Sequence, residues 1–364
     1  MKTNKSIHSR RVAFILLVIL LSILSIEKTC AQSTVGTDFW VSFLPTYIEN
    51  DHTFSLIVTG PRQCAGTITN PNTNWSRSFS VSPGRITTVT LPSNQVHEYC
   101  SDCISNIGLH VVTTDSISLY ASNFQFYSFD VTNVLPKESL GCDYVIQTYP
   151  SELLSQTYTN GYSEFNIIAT ENNTLVNITL ACNSLNGHYA NQPFSVTLDA
   201  GECYQILSAA NNNLSGTIIH ADDSKKISVF SGNPIVDIPS GDYCCADCIV
   251  EQLMPIGCWG KQFVVTGSKM RSNDIVRITA LNDNCQIWKN GSLLNTINAR
   301  QTYQFEMTAS TPALFLETSE PASVFLYFTS ADYGGNNGDP SMVIISPIEQ
   351  KINNVTFGTF NSGA

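Results

Sequence analysis

Cysteines are the residues of this chain whose type and spacing are best suited to chemistry. Two pairs, Cys100–Cys103 and Cys245–Cys248, have the Cys-x-x-Cys spacing that serves either a zinc site or local disulfides. Thiols pair with each other in an oxidising compartment, so disulfides are the favoured interpretation. The candidate disulfide cysteines are Cys64, Cys100, Cys103, Cys142, Cys182, Cys203, Cys244, Cys245, Cys248, Cys258 and Cys285.

The connectivity of these cysteines does not follow from their spacing. Cys182 and Cys203 lie on successive strand-like segments and are positioned to face each other. The eleven candidates are an odd number, which leaves one thiol unpaired, bonded to another chain or bonded to sequence beyond residue 364.

Trp75 is the candidate ligand contact. It lies among the polar residues Asn72, Thr73, Asn74 and Ser76, and aromatic side chains exposed in such segments anchor protein interfaces. A tryptophan is equally able to fill a core. The oxygen-rich segment 331–340 lacks the ligand spacing of an EF-hand loop, so we predict an ordinary loop and no metal site.

The sequence contains no catalytic or cofactor-binding motif that we recognise. Gly-x-Ser-x-Gly, His-Glu-x-x-His, Walker and dinucleotide-binding strings are absent, and the six histidines are scattered without metal-ligand spacing. We therefore predict a non-enzymatic protein without a cofactor.

The N-terminus predicts export from the cytosol. Residues 1–11 carry four basic residues and no acid, residues 12–26 are apolar, and Thr29–Ala31 offers small residues for a signal peptidase. The apolar run is shorter than the roughly 20 residues that span a bilayer. We predict a signal peptide at 1–31, cleaved after about Ala31, and a secreted or cell-surface mature chain without a membrane span.

The charge balance argues against polyanionic partners. The net charge is −11, and removal of residues 1–31 would take away five basic residues and one acidic residue, leaving −15. Nucleic acids and anionic membranes are bound by basic patches. We therefore predict neither partner, and the oligomeric state stays open.

An internal repeat organises the chain. Each copy has an apolar run ending in proline and, eight residues later, a second apolar run. The three copies are Asp130–Pro136 with Tyr144–Ile146, Ile249–Pro255 with Phe263–Val265, and Met342–Pro347 with Val355–Phe357. This pattern predicts β repeats at residues 36–140, 141–256 and 257–364.

The segments between these markers read as strands. Val, Ile, Thr and aromatic residues dominate them, and no segment has a sustained helical period. Hairpins are predicted around turns 82–85, 199–202 and 298–301, and a strand near the end of each copy aligns 117–121 with 227–231 and 324–328. The predicted fold is all-β, with three packed units of about 105–115 residues resembling β-sandwiches. The alternative is one large β domain with shared sheets or a propeller-like ring.

Three segments carry a family resemblance. They are 36–45, 134–144 and 248–263, and the last includes Glu251, Gln252, Pro255, Trp259 and Gly260. Together with Val229–Gly232 they resemble the family of the N-terminal domain of IgG Fc-binding protein and its bacterial relatives.

The resemblance implies a non-enzymatic recognition or adhesion module for an extracellular protein or glycoprotein of the mucus or immunoglobulin type. It carries over no catalytic residue and no map of Fc contacts. Glu251 and Gln252 are either ligand contacts or the residues that fix a turn between repeats. Two other functions stay open: a disulfide-cross-linked matrix component and a secreted glycan hydrolase.

Overall fold

Strands form almost all of the regular structure. The computed structural model describes residues 33–46, 52–97, 100–125, 128–150, 161–241, 243–269, 271–311, 313–336, 338–352 and 355–358. The predicted signal peptide lies outside them. The described helices are short 3-10 turns at Ser93–Gln95, Lys137–Ser139, Asp222–Ser224, Ile256–Cys258 and Ile348–Gln350. No helix among these residues is long and apolar enough to cross a membrane.

The first unit is a two-layered arrangement joined by one long strand. Its strands are β1 Gly36–Val41, β2 Thr53–Thr59, β3 Cys64–Asn70, β4 Trp75–Val81, β5 Thr87–Leu91, β6 Cys103–Ser105, β7 Leu109–Gln125 and β8 Ser128–Val134. The first half of β7 pairs with β1 and β3, and its second half pairs with β2 and β8. One strand therefore belongs to both layers.

The second unit repeats this plan with the long strand divided. Its strands are β9 Asp143–Val145, β10 Glu164–Ala169, β11 Thr174–Thr179, β12 Phe194–Leu198, β13 Cys203–Leu207, β14 Ile218–Ala221, β15 Ile227–Val236 and β16 Asp247–Gln252. The 3-10 turn Asp222–Ser224 separates β14 from β15, so two sheets form: β12-β11-β14-β9 and β16-β15-β10-β13-β6. Because β6 comes from the first unit, the two units share a sheet.

The third unit restores the undivided strand. Its strands are β17 Gly260–Thr266, β18 Asn273–Ala280, β19 Cys285–Lys289, β20 Ser292–Ile297, β21 Thr302–Thr308, β22 Ala313–Phe328 and β23 Ser341–Ile345. Their order β20-β19-β22-β18-β21 matches β4-β3-β7-β2-β5 of the first unit, and β17 and β23 pair with β22 as β1 and β8 pair with β7. The predicted fold class, all-β with three related units, is confirmed, whereas the repeat boundaries stay predictions.

The predicted hairpins are wrong. The strand before turn 82–85 is β4, which pairs with β3, and the strand after it is β5, which pairs with β2. The turns at 199–202 and 298–301 also connect strands of different pairings. Each turn crosses between layers. Alternation on both sides of a turn is the same for a hairpin and for such a crossing, because both place one face on the core.

The predicted alignment of the third copy is displaced by two residues. Ser118 pairs with Thr59 of β2, Ser228 pairs with Ile168 of β10, and the third unit has Ser323 paired with Thr279 at this place. The sequence pattern had matched Phe325 to these serines. A shift of two residues keeps every side chain on its own face, so alternation cannot detect it.

A glycine and a proline close each unit. The proline precedes the 3-10 turn after the last strand, and it packs against a glycine near the first strand. A Cβ atom placed on Gly36 would lie 2.4 Å from Pro136 Cβ. The same distance is 2.5 Å from Gly141 to Pro255 and 2.4 Å from Gly260 to Pro347. Glycine is required at each contact because no larger residue fits.

Replacing Gly260 with alanine is expected to cost about 1–3 kcal/mol of unfolding free energy, because the new methyl group overlaps Pro347. Urea unfolding followed by tryptophan fluorescence measures this loss. The matching variant Pro347→Gly removes the opposing Cβ, so the two changes together should cost less than the sum of their separate effects. Strict additivity would contradict the contact.

Candidate functional site

The last strands of the three units meet side by side. Strand β16 lies between β8 and β23, and polar side chains connect the three. We call the contact of β8, β16 and β23 the junction. It contains the Glu251 and Gln252 of the family motif.

Glu251 and Gln252 bind neighbouring strands. The Glu251 carboxylate accepts hydrogen bonds from Thr132 Oγ1 at 2.6 Å and from the Ile344 amide at 3.4 Å. Gln252 accepts a hydrogen bond from the Leu135 amide through Oε1 and donates to Ser228 through Nε2. Both side chains thus form hydrogen bonds between units. The two roles considered from the sequence, ligand contact and turn fixing, stay predictions.

Two more acids complete the junction. Asp130 is buried on β8 and accepts hydrogen bonds from the Val250 amide at 2.8 Å and from Ser341 Oγ at 3.3 Å. Asp247 is buried at the start of β16 and accepts hydrogen bonds from Ser128 and from the Cys248 amide. No sequence pattern predicts this role for Asp130 and Asp247, although Asp130 begins the repeat marker.

Burial raises the pKa of every acid in the junction. Desolvation brings the pKa of Asp247 to about 6 and that of Glu251 to about 7, and it raises the pKa of Asp130 well above its usual value. Hydrogen bonds from neighbouring amides oppose the shift for all three, but desolvation is the larger effect. The junction is therefore most stable with its acids protonated.

A small cavity of about 20 Å³ lies beside the junction. Cys248, Thr132 and Glu164 are among its lining residues. Glu164 is fully buried, and its Oε2 accepts a hydrogen bond from Gln205 while its Oε1 has no partner in the described part of the chain. Burial raises the pKa of Glu164 well above its usual value. A cavity of this size and polarity suits one water molecule.

The remaining family-motif residues are structural in position. Pro255 and Gly260 form two of the proline–glycine contacts that close the units. Trp259 is half-buried directly after the 3-10 turn Ile256–Cys258. None of them shares a surface with Trp75 through any contact that the structure describes.

Trp75 begins strand β4 rather than lying in a loop. It pairs with Asn70 across the β3–β4 hairpin, is half-buried, and packs against the core of the first unit. The turn before it contacts the second unit, where Asn72 donates a hydrogen bond to the Ala200 carbonyl at 3.2 Å. Part of the indole ring remains at the surface, beside the border of two units.

Disulfides are seen in part. Cys100 bonds to Cys103, and Cys244 bonds to Cys245. Cys182 and Cys203 do not bond to each other, because they belong to the cores of different units. Besides Cys182 and Cys203, four further cysteines of the described residues are present as thiols: Cys64, Cys142, Cys248 and Cys285. Cys258 is buried.

Burial makes the buried thiols poor nucleophiles. Desolvation raises the pKa of Cys203 to about 12 and that of Cys182 to about 11. The thiolate is the reactive form, and it is scarce at neutral pH for such groups. Among the described residues, no group of three or more His, Cys, Asp or Glu side chains is arranged to hold a metal ion.

Two histidine–aspartate hydrogen-bonded pairs could not be predicted from the sequence. His110 Nε2 lies 2.9 Å from Asp38 Oδ1, and His220 Nδ1 lies 2.6 Å from Asp143 Oδ1. Each pair joins adjacent antiparallel strands, so the partners are far apart in sequence. Only the strand register could have revealed them.

Comparison with known proteins gives three similarities. The family model described as IgGFc binding protein matches residues 130–363. Human IgGFc-binding protein is 25% identical over 281 residues, which are 76% of this chain and 5% of that protein's length. A solved anti-sigma factor domain-containing protein aligns over 78% of this chain and 96% of its own, at 10% identity and a TM-score of 0.17. That last likeness is too low to support an argument.

The family match includes the parts of the chain that build the junction. Residues 130–363 include β8 from Asp130 onward and all of β16 and β23, and they cover more than half of the chain. The human relative aligns with three quarters of the chain. This chain belongs to the IgGFc binding protein family.

Proposed function

We propose that the mature chain is a secreted or surface-displayed binding module that recognises an extracellular protein or glycoprotein without catalysing a reaction. Family membership carries the proposal. The described architecture supports it, because hydrogen bonds between the last strands join the three units into one frame on which surface loops can hold a ligand.

The junction acids Asp130 and Asp247 do not form the site that the alternative function, a glycan hydrolase, would need. Such enzymes need two carboxyl groups in a cleft, one on each side of the scissile bond. Asp130 and Asp247 are instead buried and hydrogen-bonded to backbone amides of neighbouring strands. Desolvation at these buried positions is what raises their pKa values.

The binding surface that we propose includes Trp75 and the adjacent β3–β4 turn. Asn72, Thr73 and Asn74 are exposed polar residues next to the partly exposed indole ring. Aromatic rings flanked by adaptable polar groups are typical of protein contacts.

The test is binding of residues 32–364 to arrayed mucins, immunoglobulins and glycans, followed by surface plasmon resonance on any ligand found. Truncating Trp75 to alanine is expected to weaken binding by about tenfold or more, a hot-spot loss of roughly 1.4 kcal/mol or more. Trp288→Ala is the matched control, because Trp288 is also half-buried beside the turn of the corresponding β19–β20 hairpin.

An equal loss in both variants would point to a general effect and contradict a site at Trp75. Absence of any saturable ligand at micromolar concentration would contradict the binding function itself. Circular dichroism of each variant separates loss of binding from loss of fold.

A further inference from the structure

Successive units contact each other in the same way. The face of the second unit formed by β10, β13 and β15 packs on the first unit, and Ser228 Oγ donates a hydrogen bond to the Trp40 carbonyl of β1 at 3.0 Å. The corresponding face of the third unit packs on the second, where Thr279, the strand partner of Ser323, donates from Oγ1 to the side-chain Oε1 of Gln147, just after β9, at 2.8 Å. We call this face of each unit its head: the face formed by β10, β13 and β15 in the second unit and by the corresponding strands in the others. The head of each later unit thus packs on the first strand of the unit before it.

Turns 199–202 and 298–301, which belong to the heads of the second and third units, also contact corresponding places on the preceding unit. The Gly108 amide donates a hydrogen bond to the Gly201 carbonyl at 3.1 Å, and Arg300 Nε donates to the Gly216 carbonyl at 2.6 Å. Gly201 and Arg300 occupy the same place in turns 199–202 and 298–301. The repeated contact is therefore head to tail, with two different surfaces meeting each time.

The hydrophobic cores show the same head-to-tail packing, because residues of one unit belong to the core of the unit before it. The core of the first unit includes Ile168, Cys203 and Phe230 of the second. The core of the second unit includes Ile275, Phe325 and Tyr327 of the third, whereas the core cluster of the third unit contains only its own residues. In the part of the chain that the structure describes, the third unit lacks the contribution that a following head makes to the other two.

The first strand of the third unit is consequently uncovered. Trp40 on β1 is 5% exposed and Val145 on β9 is 6% exposed, whereas Val264, at the same register on β17, is 52% exposed. Ala313 stands exposed where the buried Gly108 and Gly216 lie in the other units, and Phe315 is the cross-strand neighbour of Val264. We call Val264, Ala313 and Phe315 the tail edge.

Among the described residues, a short segment, 355–358, lies on the corresponding face of the first unit. Ser118, Ile86, Tyr120 and turn 82–85 form this head surface, and Tyr120 is half-buried where Phe230 and Phe325 are fully buried. Ser118 Oγ donates a hydrogen bond to the Thr356 carbonyl, the same contact that Ser228 makes with Trp40. Gly84 of the turn has open space around its Cβ position, unlike the docked Gly201.

Segment 355–358 therefore occupies, on the head surface of the first unit, the place that a first strand takes in the other contacts. Thr356 follows the third repeat marker at the position of Trp40, Val145 and Val264. Its neighbours Val355 and Phe357 are 60% and 62% exposed, although the corresponding residues in or directly after β1, β9 and β17 are buried. This contact is smaller than the one that a whole unit makes.

We propose that copies of this chain associate head to tail, with the head surface of one copy docked on the tail edge of the next and segment 355–358 competing for the head surface. The occupant is a second copy because the contact already exists twice within the molecule between homologous surfaces. Such an interface closes into a ring or extends into a filament, depending on the rotation between copies.

Sedimentation velocity on residues 32–364 tests this proposal. Gly358 lies against Ile86: a Cβ atom placed on Gly358 would be 3.3 Å from Ile86 Cδ1. The substitution Gly358→Glu should therefore displace segment 355–358 from the head surface. We expect this variant to associate about tenfold more tightly than the parent chain. Adding Val264→Arg should return it to monomers, because a buried unpaired charge opposes docking.

Leu293→Arg is the matched control, because Leu293 is 57% exposed on the same unit but lies on β20, away from the tail edge. This change should leave the association intact. Monomers of Gly358→Glu at about 100 μM, or oligomers that persist with Val264→Arg, would overturn the proposal. Thermal unfolding of each variant verifies that the fold is retained.

Discussion

Replacing Gly232 with alanine is expected to lower the free energy of unfolding by roughly 3 kcal/mol or more, the largest effect of any single methyl group considered for this chain. Gly232 lies in the middle of β15, paired with Glu164 of β10 and with Val250 of β16. A Cβ atom there would lie 1.8 Å from the Ile249 carbonyl oxygen. Because backbone atoms cannot rotate away as a side chain can, β16 must separate from β15.

Separation of β16 would also disturb the junction, since β16 carries Glu251 and Gln252. The loss can be measured as a lower urea midpoint and as faster hydrogen exchange of the β15 and β16 amides. Gly257→Ala is the control, because no atom lies within 4 Å of its Cβ position. An equal effect of the two substitutions would show that the contact with Ile249 is unimportant.

The sequence predicted the architecture because repetition multiplies a weak signal. One apolar run with a proline is common, but three at similar spacing fixed the existence of three β units. The proline of each marker packs against a glycine near the first strand, so the marker reflects a real contact. The boundaries of the repeats remain predictions.

Strand partners could not be predicted in the same way. Alternation specifies which face of a strand is buried but not which strand lies beside it, so the crossings at 82–85, 199–202 and 298–301 read as hairpins. The two-residue displacement at Ser323 has the same origin. The division of the long strand into β14 and β15 likewise depends on a local 3-10 turn, Asp222–Ser224.

The site was predicted in its residues but not in its partners. Glu251 and Gln252 were recognised as distinctive, yet their hydrogen bonds to Thr132, Ile344 and Leu135 cross between units. The thiols were expected to pair because export favours disulfides. Several instead occupy separate apolar cores, a placement that only the three-dimensional fold determines.

Replacing Glu251 with glutamine is expected to stabilise the protein by roughly 2–3 kcal/mol at pH 8 and to have little effect at pH 5. Desolvation raises the pKa of Glu251 from 4.5 to about 7 in the folded state. As the pH rises from 4.5 to 7, the unfolded chain loses this proton before the folded protein does, so unfolding becomes easier. Glutamine resembles the protonated acid and avoids that loss.

Urea unfolding at pH 5 and pH 8 measures the effect as the change in midpoint between parent and variant. The carbonyl oxygen of the introduced glutamine can still accept a hydrogen bond from the Ile344 amide, and its NH₂ group can donate one to Thr132 Oγ1. The junction therefore keeps its arrangement. Burial lowers the pKa of His97 to about 4 and gives an opposite pH dependence, but this term is common to both proteins and cancels.

The half-exposed Glu171, whose carboxylate lies 3.6 Å from Lys137 Nζ at the surface, supplies the control Glu171→Gln. This substitution should change stability little at either pH, since surface ion pairs contribute little. A variant Glu251→Gln that is less stable than the parent at pH 8 would mean that the ionised carboxylate, rather than the neutral acid, holds the three last strands together. The motif glutamate would then act through its charge, and the junction would tighten as the pH rises.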